Sequence, residues 1–570
     1  MKTSRLTDIT QPLDKLHANE RLKAGSNFLR GTIAESLDDA LTYAVAENDT
    51  KLLKFFGIYQ QDDRDLRDER RRQKLEPAYQ FMVRLRLPGG VLTPQQWLKL
   101  DELAHTCGNG TLRITDRQTF QFHGILKPRL RPLIQGFRDI GLDTRAACGD
   151  DNRGVMASTA IRNPGLHRKV YDLACAVSAH LRPRTSAYSE IWYGEKPVGK
   201  DEEPLYGPTY LPRKFKIAFA VPPTNDVDIY TPDLGFIAIA DGDELLGFNV
   251  VVGGGMGRTD NAPATYPRLG NVIGFVPAEH TIAVAEAVVT IQRDYGNRVD
   301  RTRARFKYTI DDHGLDWFVE ELQTRLGFPL EPTRPYHFDH NTDEFGWIKD
   351  SEGLWHYVLF VQNGRLKDDE NTRALSGLRA IAGVHTGEFR LTPNQNVIIS
   401  RVAEGDKAVI DGLLADYRLD TANNASNLQK ISISCVAFPT CGLAMAESER
   451  YLPSLIDKIQ QIMATAGIAD QPITIRMSGC PNGCSRPYIA EIGFTGRAPG
   501  KYNVYLGGGH HGQRLNKLFL NNVGEETILA ELAPIITRYA KERTAGEPFG
   551  DFVIRAGYVP EVKEGRHFND

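Results

Sequence analysis

No uninterrupted apolar run in this chain reaches bilayer length, and its opening Met-Lys-Thr-Ser-Arg lacks the apolar core of a secretory signal. A soluble, cytoplasmic protein without membrane contacts is the expectation. Neither sign of charge dominates: 69 Lys and Arg face 72 Asp and Glu, for a net charge of -3. That balance argues against a general nucleic-acid or membrane-surface role. Low-complexity tracts are missing, and 52 Gly and 31 Pro mark turns between short elements. Cysteine is scarce, seven in 570 residues, and a reducing compartment disfavours disulfides. The length suffices for about three or four domains, each with its own core.

Four of the seven cysteines fall in two tight pairs, Cys435-x5-Cys441 and Cys480-x3-Cys484, set in Ser-Cys-Val-Ala-Phe-Pro-Thr-Cys-Gly and Gly-Cys-Pro-Asn-Gly-Cys. Both surroundings bend the backbone around something compact. Structural zinc normally spaces its paired ligands by two to four residues, which the first pair exceeds; an iron–sulfur cluster tolerates more varied loops. The spacing favours a cluster, with zinc and buried unligated thiols still open. An amphipathic helical pattern from Leu443 to about Thr465 puts the pairs on different loops. Cys107, Cys148 and Cys175 read as small buried residues.

Several segments carry polar groups on one strand face. In Phe81-Met-Val-Arg-Leu-Arg-Leu87 the spacing puts Arg84 and Arg86 together, opposite an apolar face. From Thr111 to His123 every odd position is polar: Thr111, Arg113, Thr115, Arg117, Thr119, Gln121 and His123. Such a face meets either solvent or a large polar ligand. Around Leu211 to Val221 a strand pattern sets Lys214 and Lys216 beside the small Ala218 and Ala220. With Arg84, Arg113, Arg117 and the loop residue Arg153, the two lysines suggest a convergent anion pocket. Arg301, Arg305 and Lys307, between Asn297 and Tyr308, suit a solvated surface or ligand contact equally. The stretch before residue 76, with its charged run Gln60 to Arg72, reads as an accessory arm with a solvated face; an electron-delivering partner is the candidate if it docks anything.

The chain echoes itself. Gly235 to Gly255 resembles Gly493 to Gly509, and Leu112-Arg-Ile-Thr-Asp-Arg-Gln-Thr119 resembles Phe389-Arg-Leu-Thr-Pro-Asn-Gln-Asn396, which keeps Arg390, Thr392, Asn394 and Asn396 on one face. The Gly-rich Val250 to Gly257 thus belongs to a repeat and is a weak nucleotide-binding match. Two related halves predict packing about a pseudo-two-fold axis, with a shared ligand at their junction.

These residues, with Leu29-Arg-Gly-Thr-Ile-Ala-Glu, Tyr59-Gln-Gln-Asp-Asp-Arg-Asp, Leu87-Pro-Gly-Gly, Thr115-Asp-Arg-Gln-Thr-Phe-Gln-Phe-His-Gly, Leu211-Pro-Arg-Lys-Phe-Lys and the cysteine pairs, carry a family resemblance over nearly the whole chain. It resembles the haemoprotein (beta) subunits of assimilatory NADPH-dependent sulfite reductases, within the sirohaem/[4Fe-4S] sulfite/nitrite reductases. Phe56 and Gly154 depart from the residues familiar at their positions, His and Asn.

The resemblance implies an α+β fold of duplicated halves, in three domains around a central cofactor site: 76–145 with 346–421 as a duplicated strand-rich, ferredoxin-like domain, 146–345 as a sirohaem and substrate domain, and 422–570 as an iron–sulfur and sirohaem domain, after an arm at 1–75. It implies a [4Fe-4S] cluster on Cys435, Cys441, Cys480 and Cys484, the last bridging to sirohaem iron. Arg84, Arg153, Lys214 and Lys216 match the family's sulfite-binding quartet. Arg113, Thr115, Arg117, Gln121, His123, Lys307 and Asn482 match positions near sirohaem. The implied reaction is six-electron reduction of sulfite to sulfide for cysteine biosynthesis. The lack of a convincing nucleotide fingerprint places NADPH, FAD and FMN on a separate flavoprotein (alpha) subunit. A ferredoxin-linked sulfite or nitrite reductase of the same fold, and a zinc-stabilised binding module, are the alternatives.

Overall fold

Residues 12–159, 161–196, 199 and 201–570, described in a computed structural model, form four five-stranded sheets. The first half supplies β1 (Ile58–Asp62), β2 (Tyr79–Arg84), β3 (Val91–Leu92), β4 (Leu112–Ile114), β5 (Phe120–Ile125), β6 (Met156–Ala157), β7 (Ile217–Ala220), β8 (Leu234–Asp241), β9 (Glu244–Val252) and β10 (Asn271–Pro277). The second supplies β11 (Gly346–Lys349), β12 (Trp355–Leu359), β13 (Arg365–Leu366), β14 (Glu388–Leu391), β15 (Val397–Val402), β16 (Ile433–Ser434), β17 (Ile475–Ser478), β18 (Ile492–Ala498), β19 (Lys501–Leu506) and β20 (Lys517–Val523).

The sheets match in pairs. Orders β1-β2-β5-β4-β13 and β11-β12-β15-β14-β3 are equivalent, and so are β6-β7-β8-β9-β10 and β16-β17-β18-β19-β20. In the second pair, three parallel strands are followed by two antiparallel ones in both copies. The halves also exchange edges: β3 pairs with β14, and β13 pairs with β4. Each ferredoxin-like sheet is therefore completed by the other half, which fixes the pseudo-two-fold relation through main-chain hydrogen bonds. The fold is α+β.

Apolar residues at helical spacing close the sheets. Leu452, Leu455, Ile456, Ile459 and Met463 form the buried stripe of the helix Leu452–Thr465, which packs beside Glu525–Glu542. That first helix starts later than the pattern from Leu443 suggested, because residues 443–451 wrap the cysteine loops as turns. The helix Thr281–Tyr295 buries Val284, Val288 and Ile291 and packs beside the helices Pro164–His180 and Leu315–Leu326.

Three expectations need correction. Residues 1–11 of the expected arm lie outside the described residues, but residues 12–75 are built into the body: β1 pairs with β2, and Ile33, Leu52, Phe56 and Ile58 are core residues. The buried Lys23 donates to Leu211 O at 2.7 Å and pairs with Glu20, which Arg298 also grips. The polar alternation from Thr111 to His123 is a hairpin, since the chain turns at Thr115–Thr119 with Gln118 at φ 52°. Arg84 and Arg86 do not project together. β2 ends at Arg84, and Arg86 forks onto Asp143 at 3.0 Å through both Nε and Nη2.

Among the described residues no helix is long and apolar enough to cross a membrane.

Candidate active site

The two cysteine loops leave the ends of neighbouring parallel strands, β16 and β17. Cys435 N donates to Met477 O at 3.1 Å, and Gly479 N donates to Cys435 Sγ at 3.2 Å. Met445 N and Ala446 N both donate to Gly479 O. Glycine is required at 479, where a Cβ would stand 2.5 Å from that of Ala437. Burial, then the neighbouring thiols, pushes Cys435, Cys441 and Cys480 up to about 12; Cys484 acts on all three. Four mutually opposed thiols converge here, and as thiolates they need a cationic centre between them. Four thiols and no other donor type fit an iron–sulfur cluster, whose cubane takes four Cys thiolates. Cys480 is buried and Cys484 exposed.

Two equivalent hairpin turns abut these loops. Thr115 N donates to Thr119 O at 2.8 Å and Gln118 N to Thr115 O; in the second half Thr392 N donates to Asn396 O at 2.9 Å and Gln395 N to Thr392 O. The second turn is capped from within the chain. Thr392, Asn394 and Asn396 all donate to Asp343, and Arg390 is held by Glu388 and Thr159 O. Among the described residues the first turn carries no such plug, and its Arg117 lies beside Arg84, Arg153 and Lys216.

Arg84, Arg117, Arg153, Lys214 and Lys216 lie within electrostatic reach of one another. Arg84 Nη1 donates to Cys148 Sγ at 2.9 Å, and the Tyr59 hydroxyl also meets Cys148. Arg153 forks onto Gly149 O through Nε at 3.1 Å and Nη2 at 3.0 Å. Arg117 reaches Met156 Sδ and Gly154 O. The ammonium groups of Lys214 and Lys216, both half-buried, have no hydrogen-bond or ion-pair partner among the described residues. Burial, then Arg153, drives Lys214 well below its ordinary value; burial, then Arg117, brings Lys216 to about 7. Asp151 is buried with neither carboxyl oxygen partnered, and burial raises its pKa well above the usual carboxylate range.

On β5, Gln121 pairs across to Arg84, and His123 is buried with both ring nitrogens unpartnered. Burial, then Arg365, lowers the pKa of His123 far below 6.5, so the ring is neutral. These orphaned nitrogens, with the unpartnered Arg84 Nε, fit a polar ligand group such as a sirohaem carboxylate. Asn482 Nδ2 lies 3.4 Å from Cys480 Sγ.

Other expected contacts are spent on the protein itself. Lys307 is fully buried with its donors on Gly255 O, Gly257 O and Tyr266 O, so it holds the glycine-rich loop and has none left for a ligand. Arg305 forks onto Asp233 and Arg301 holds Asp150. Arg113 is buried on Glu449, Ile114 O and Ser434 O. The glycine loop serves close packing: a Cβ at Gly254 would meet Pro232 O at 2.3 Å, and one at Gly508 in the other copy would meet Ala490 O at 2.1 Å.

Tyr59 and Cys148 were not singled out for the site from the sequence, nor were Glu449, Arg365 and Arg64. Arg64 stacks 4.3 Å from the Phe438 ring and reaches Cys441 O and Ala444 O. The sequence signals for it were the charged run from Gln60 to Arg72 and the Tyr59-Gln-Gln-Asp-Asp-Arg-Asp motif. Of the two departures, Phe56 packs on Tyr188 and Trp192, while a Cβ at Gly154 would meet nothing within 4 Å.

Comparison with known proteins agrees with this architecture. Residues 72–140 and 348–417 match the nitrite/sulfite reductase ferredoxin-like half domain, and 173–330 match the nitrite and sulphite reductase 4Fe-4S domain. The chain is 60% identical over 568 residues to the sulfite reductase [NADPH] hemoprotein beta-component of Nitrobacter winogradskyi, covering 99% of both chains. It is 58% identical over 571 residues to that of Nitrosomonas eutropha, covering 100% of this chain and 99% of the relative. The structure of Mycobacterium tuberculosis NirA protein superposes with a TM-score of 0.76 at 25% identity, covering 95% of this chain and 97% of the other. The chain belongs to the sulfite reductase [NADPH] hemoprotein beta-component family.

Proposed function

We propose that this chain reduces sulfite to sulfide, a six-electron reaction of assimilatory sulfate reduction and cysteine biosynthesis, in the cytoplasm. The observation that carries the reading is the pair of unpartnered ammonium groups, Lys214 and Lys216, in a cation cluster joined to four converging thiols by the Thr115–Thr119 turn. Cys435, Cys441, Cys480 and Cys484 hold a [4Fe-4S] cluster. Of the four, Cys484 alone is exposed and would be the ligand open to sirohaem. Gln121, His123, Arg117, Thr115 and Asn482 would hold the sirohaem periphery.

Sirohaem and the cluster, when bound, supply the metal centre and the electrons. The protein's own residues handle charge and protons. Arg84 and Arg153, each with its guanidinium held on one side, keep donors for the oxyanion oxygens. Each oxygen leaves as water and takes two protons. Lys216, brought to about 7 in the chain without sirohaem or sulfite, can bind the anion as an ammonium and release a proton from Nζ. Asp151, buried beside Arg153 with both carboxyl oxygens unpartnered and its pKa raised by burial, is a second candidate acid.

Electrons come from NADPH through FAD and FMN on a separate flavoprotein (alpha) subunit. The test uses the purified full chain: its visible spectrum, iron and acid-labile sulfide, and sulfite-dependent oxidation of a reduced viologen. NADPH oxidation is expected only after the flavoprotein is added. Zinc in place of iron, with no visible absorption, overturns the reading. Turnover of nitrite with the same donor ranks the two anions.

A further inference from the structure

Directly after Cys484 the chain is held in two steps. Ser485 is fastened to β17, its hydroxyl donating to Met477 O at 2.6 Å and its amide donating to Ser478 Oγ at 3.1 Å. Arg486 follows in the left-handed region, at φ 57°. A non-glycine residue there costs about 1 kcal/mol or more and persists where surroundings over-determine it. Those surroundings are specific. Arg486 Nη1 donates to Asp116 O at 2.9 Å and Nη2 to Pro393 O at 3.2 Å. Asp116 and Pro393 are equivalent residues, each following the threonine of its half's turn, so one guanidinium spans the pseudo-two-fold axis and ties both turns to the cysteine loop.

The third side of that guanidinium meets Asp228, with Nε 2.6 Å from Oδ2. Asp228 comes from the first half, has no exposed side-chain surface, and also binds Arg476 at 2.5 Å and Asn341 Nδ2 at 3.1 Å. Asn341 O in turn accepts from Asn394 in the second turn. The second cysteine loop, both repeat turns and Asn341 therefore meet at this carboxylate or this guanidinium. Neither residue faces the cations Lys214 and Lys216 as a ligand group.

We propose that Arg486, oriented by Asp228, is the positioning residue that registers the Cys480–Cys484 loop against both repeat turns and so sets how Cys484 is presented to the site. The inference rests on reading the cysteines as cluster ligands. A lysine at 486 keeps the charge but cannot span two carbonyls and a carboxylate at once.

The test compares Arg486→Lys with the parent holoprotein. Expected are retained iron and acid-labile sulfide, an altered electron paramagnetic resonance signature and midpoint potential, and a kcat with reduced viologen about tenfold lower at little-changed KM for sulfite. Hydrogen exchange is expected to rise together in residues 480–486, 115–119 and 392–396, a readout that holds at any cofactor content. Arg325→Gln, which breaks a remote pair with Asp294 at 2.9 Å, is expected to lower thermal stability without moving the signature. An unchanged signature and potential in an iron-loaded Arg486→Lys chain overturns the inference alone. So does faster exchange confined to 480–486. Zinc in the parent overturns the reading beneath it.

Discussion

Arg113 and Gln395 hold the same atom. Arg113 Nη2 at 3.0 Å and Gln395 Nε2 at 2.8 Å both donate to Ser434 O, the carbonyl just before Cys435. One donor comes from the first repeat and the other from the second, so the first cysteine is placed by both halves.

That shared grip predicts unequal losses. Arg113→Met leaves the half-buried Glu449 with Arg365 as its remaining cation and is expected to cost about 3 kcal/mol, with loss of iron on mild heating. Gln395→Leu removes one neutral hydrogen bond and costs about 1 kcal/mol. The pH dependence separates them. Burial works against the Glu449 carboxylate, but Arg365 and Arg113 hold it at about 2, below its ordinary 4.5. Its stabilisation is complete above about 4.5 and is lost as pH falls towards 2, because the unfolded chain takes the proton first. Thermal unfolding from pH 6 to 3 is expected to show a shallower acid limb in Arg113→Met and an unchanged one in Gln395→Leu.

Lys216 predicts the opposite slope. Its folded pKa of about 7 lies below the ordinary 10.5, through burial and then Arg117, with Arg305 and Arg153 adding to the depression and Asp116 opposing it. The unfolded chain binds the extra proton between about pH 7 and 10.5, so stability rises across that window and the charging penalty is full below it. Lys216→Met is therefore expected to be more stable than the parent at pH 7 in sulfite-free protein, with the difference shrinking by pH 10. Sulfite binding favours the ammonium, so sulfite affinity is expected to fall as pH rises through about 7. Titrating sulfite across pH 6–9 checks this; the fall is expected to be shallower in Lys216→Met.

The parts of the site visible in the sequence were those encoded by local spacing. Two cysteine pairs, lysines two apart at 214 and 216, and the echo of Leu112–Thr119 in Phe389–Asn396 all survive folding, because strand alternation and turn geometry are short-range. The hidden parts depend on which distant partner meets a charge. Spacing could not show that Lys307 spends its donors on the glycine loop, that Arg86 swings to Asp143, or that Cys148 lies under Arg84. The Thr111–His123 alternation misled because a tight turn preserved parity across two strands. The arm misled because its charged run conceals β1 and the core residues on either side.

Arg64 gives that arm a measurable role. Its guanidinium covers Phe438 and reaches Cys441 O and Ala444 O, while Asp65 pairs with Arg450 at 2.6 Å. Arg64→Ala removes a cation–π contact and two hydrogen bonds from the first cysteine loop, together about 2 kcal/mol. The expected result is faster bleaching of the visible cluster absorption in air, with sulfite affinity retained. Asp65→Ala, which loses only an exposed pair, is expected to bleach at the parent rate.

Cys148 offers the last prediction, because it touches Arg84 of the proposed anion pocket and stands apart from the four paired cysteines. Its sulfur accepts from Arg84 Nη1 at 2.9 Å, and Arg84 Nε is otherwise unpartnered. Cys148→Ala frees the guanidinium to rotate and leaves a small void at a fully buried site. A hydrogen bond to a charged group contributes about 1.5–3 kcal/mol, so KM for sulfite is expected to rise about tenfold or more. Cys148→Ser restores an acceptor of similar size and is expected to recover most of that loss. Iron, acid-labile sulfide and the visible spectrum are expected to stay at parental values in both variants. If the alanine variant instead lost iron while its KM for sulfite held, Cys148 would belong to the cluster's support and Arg84 would not depend on it.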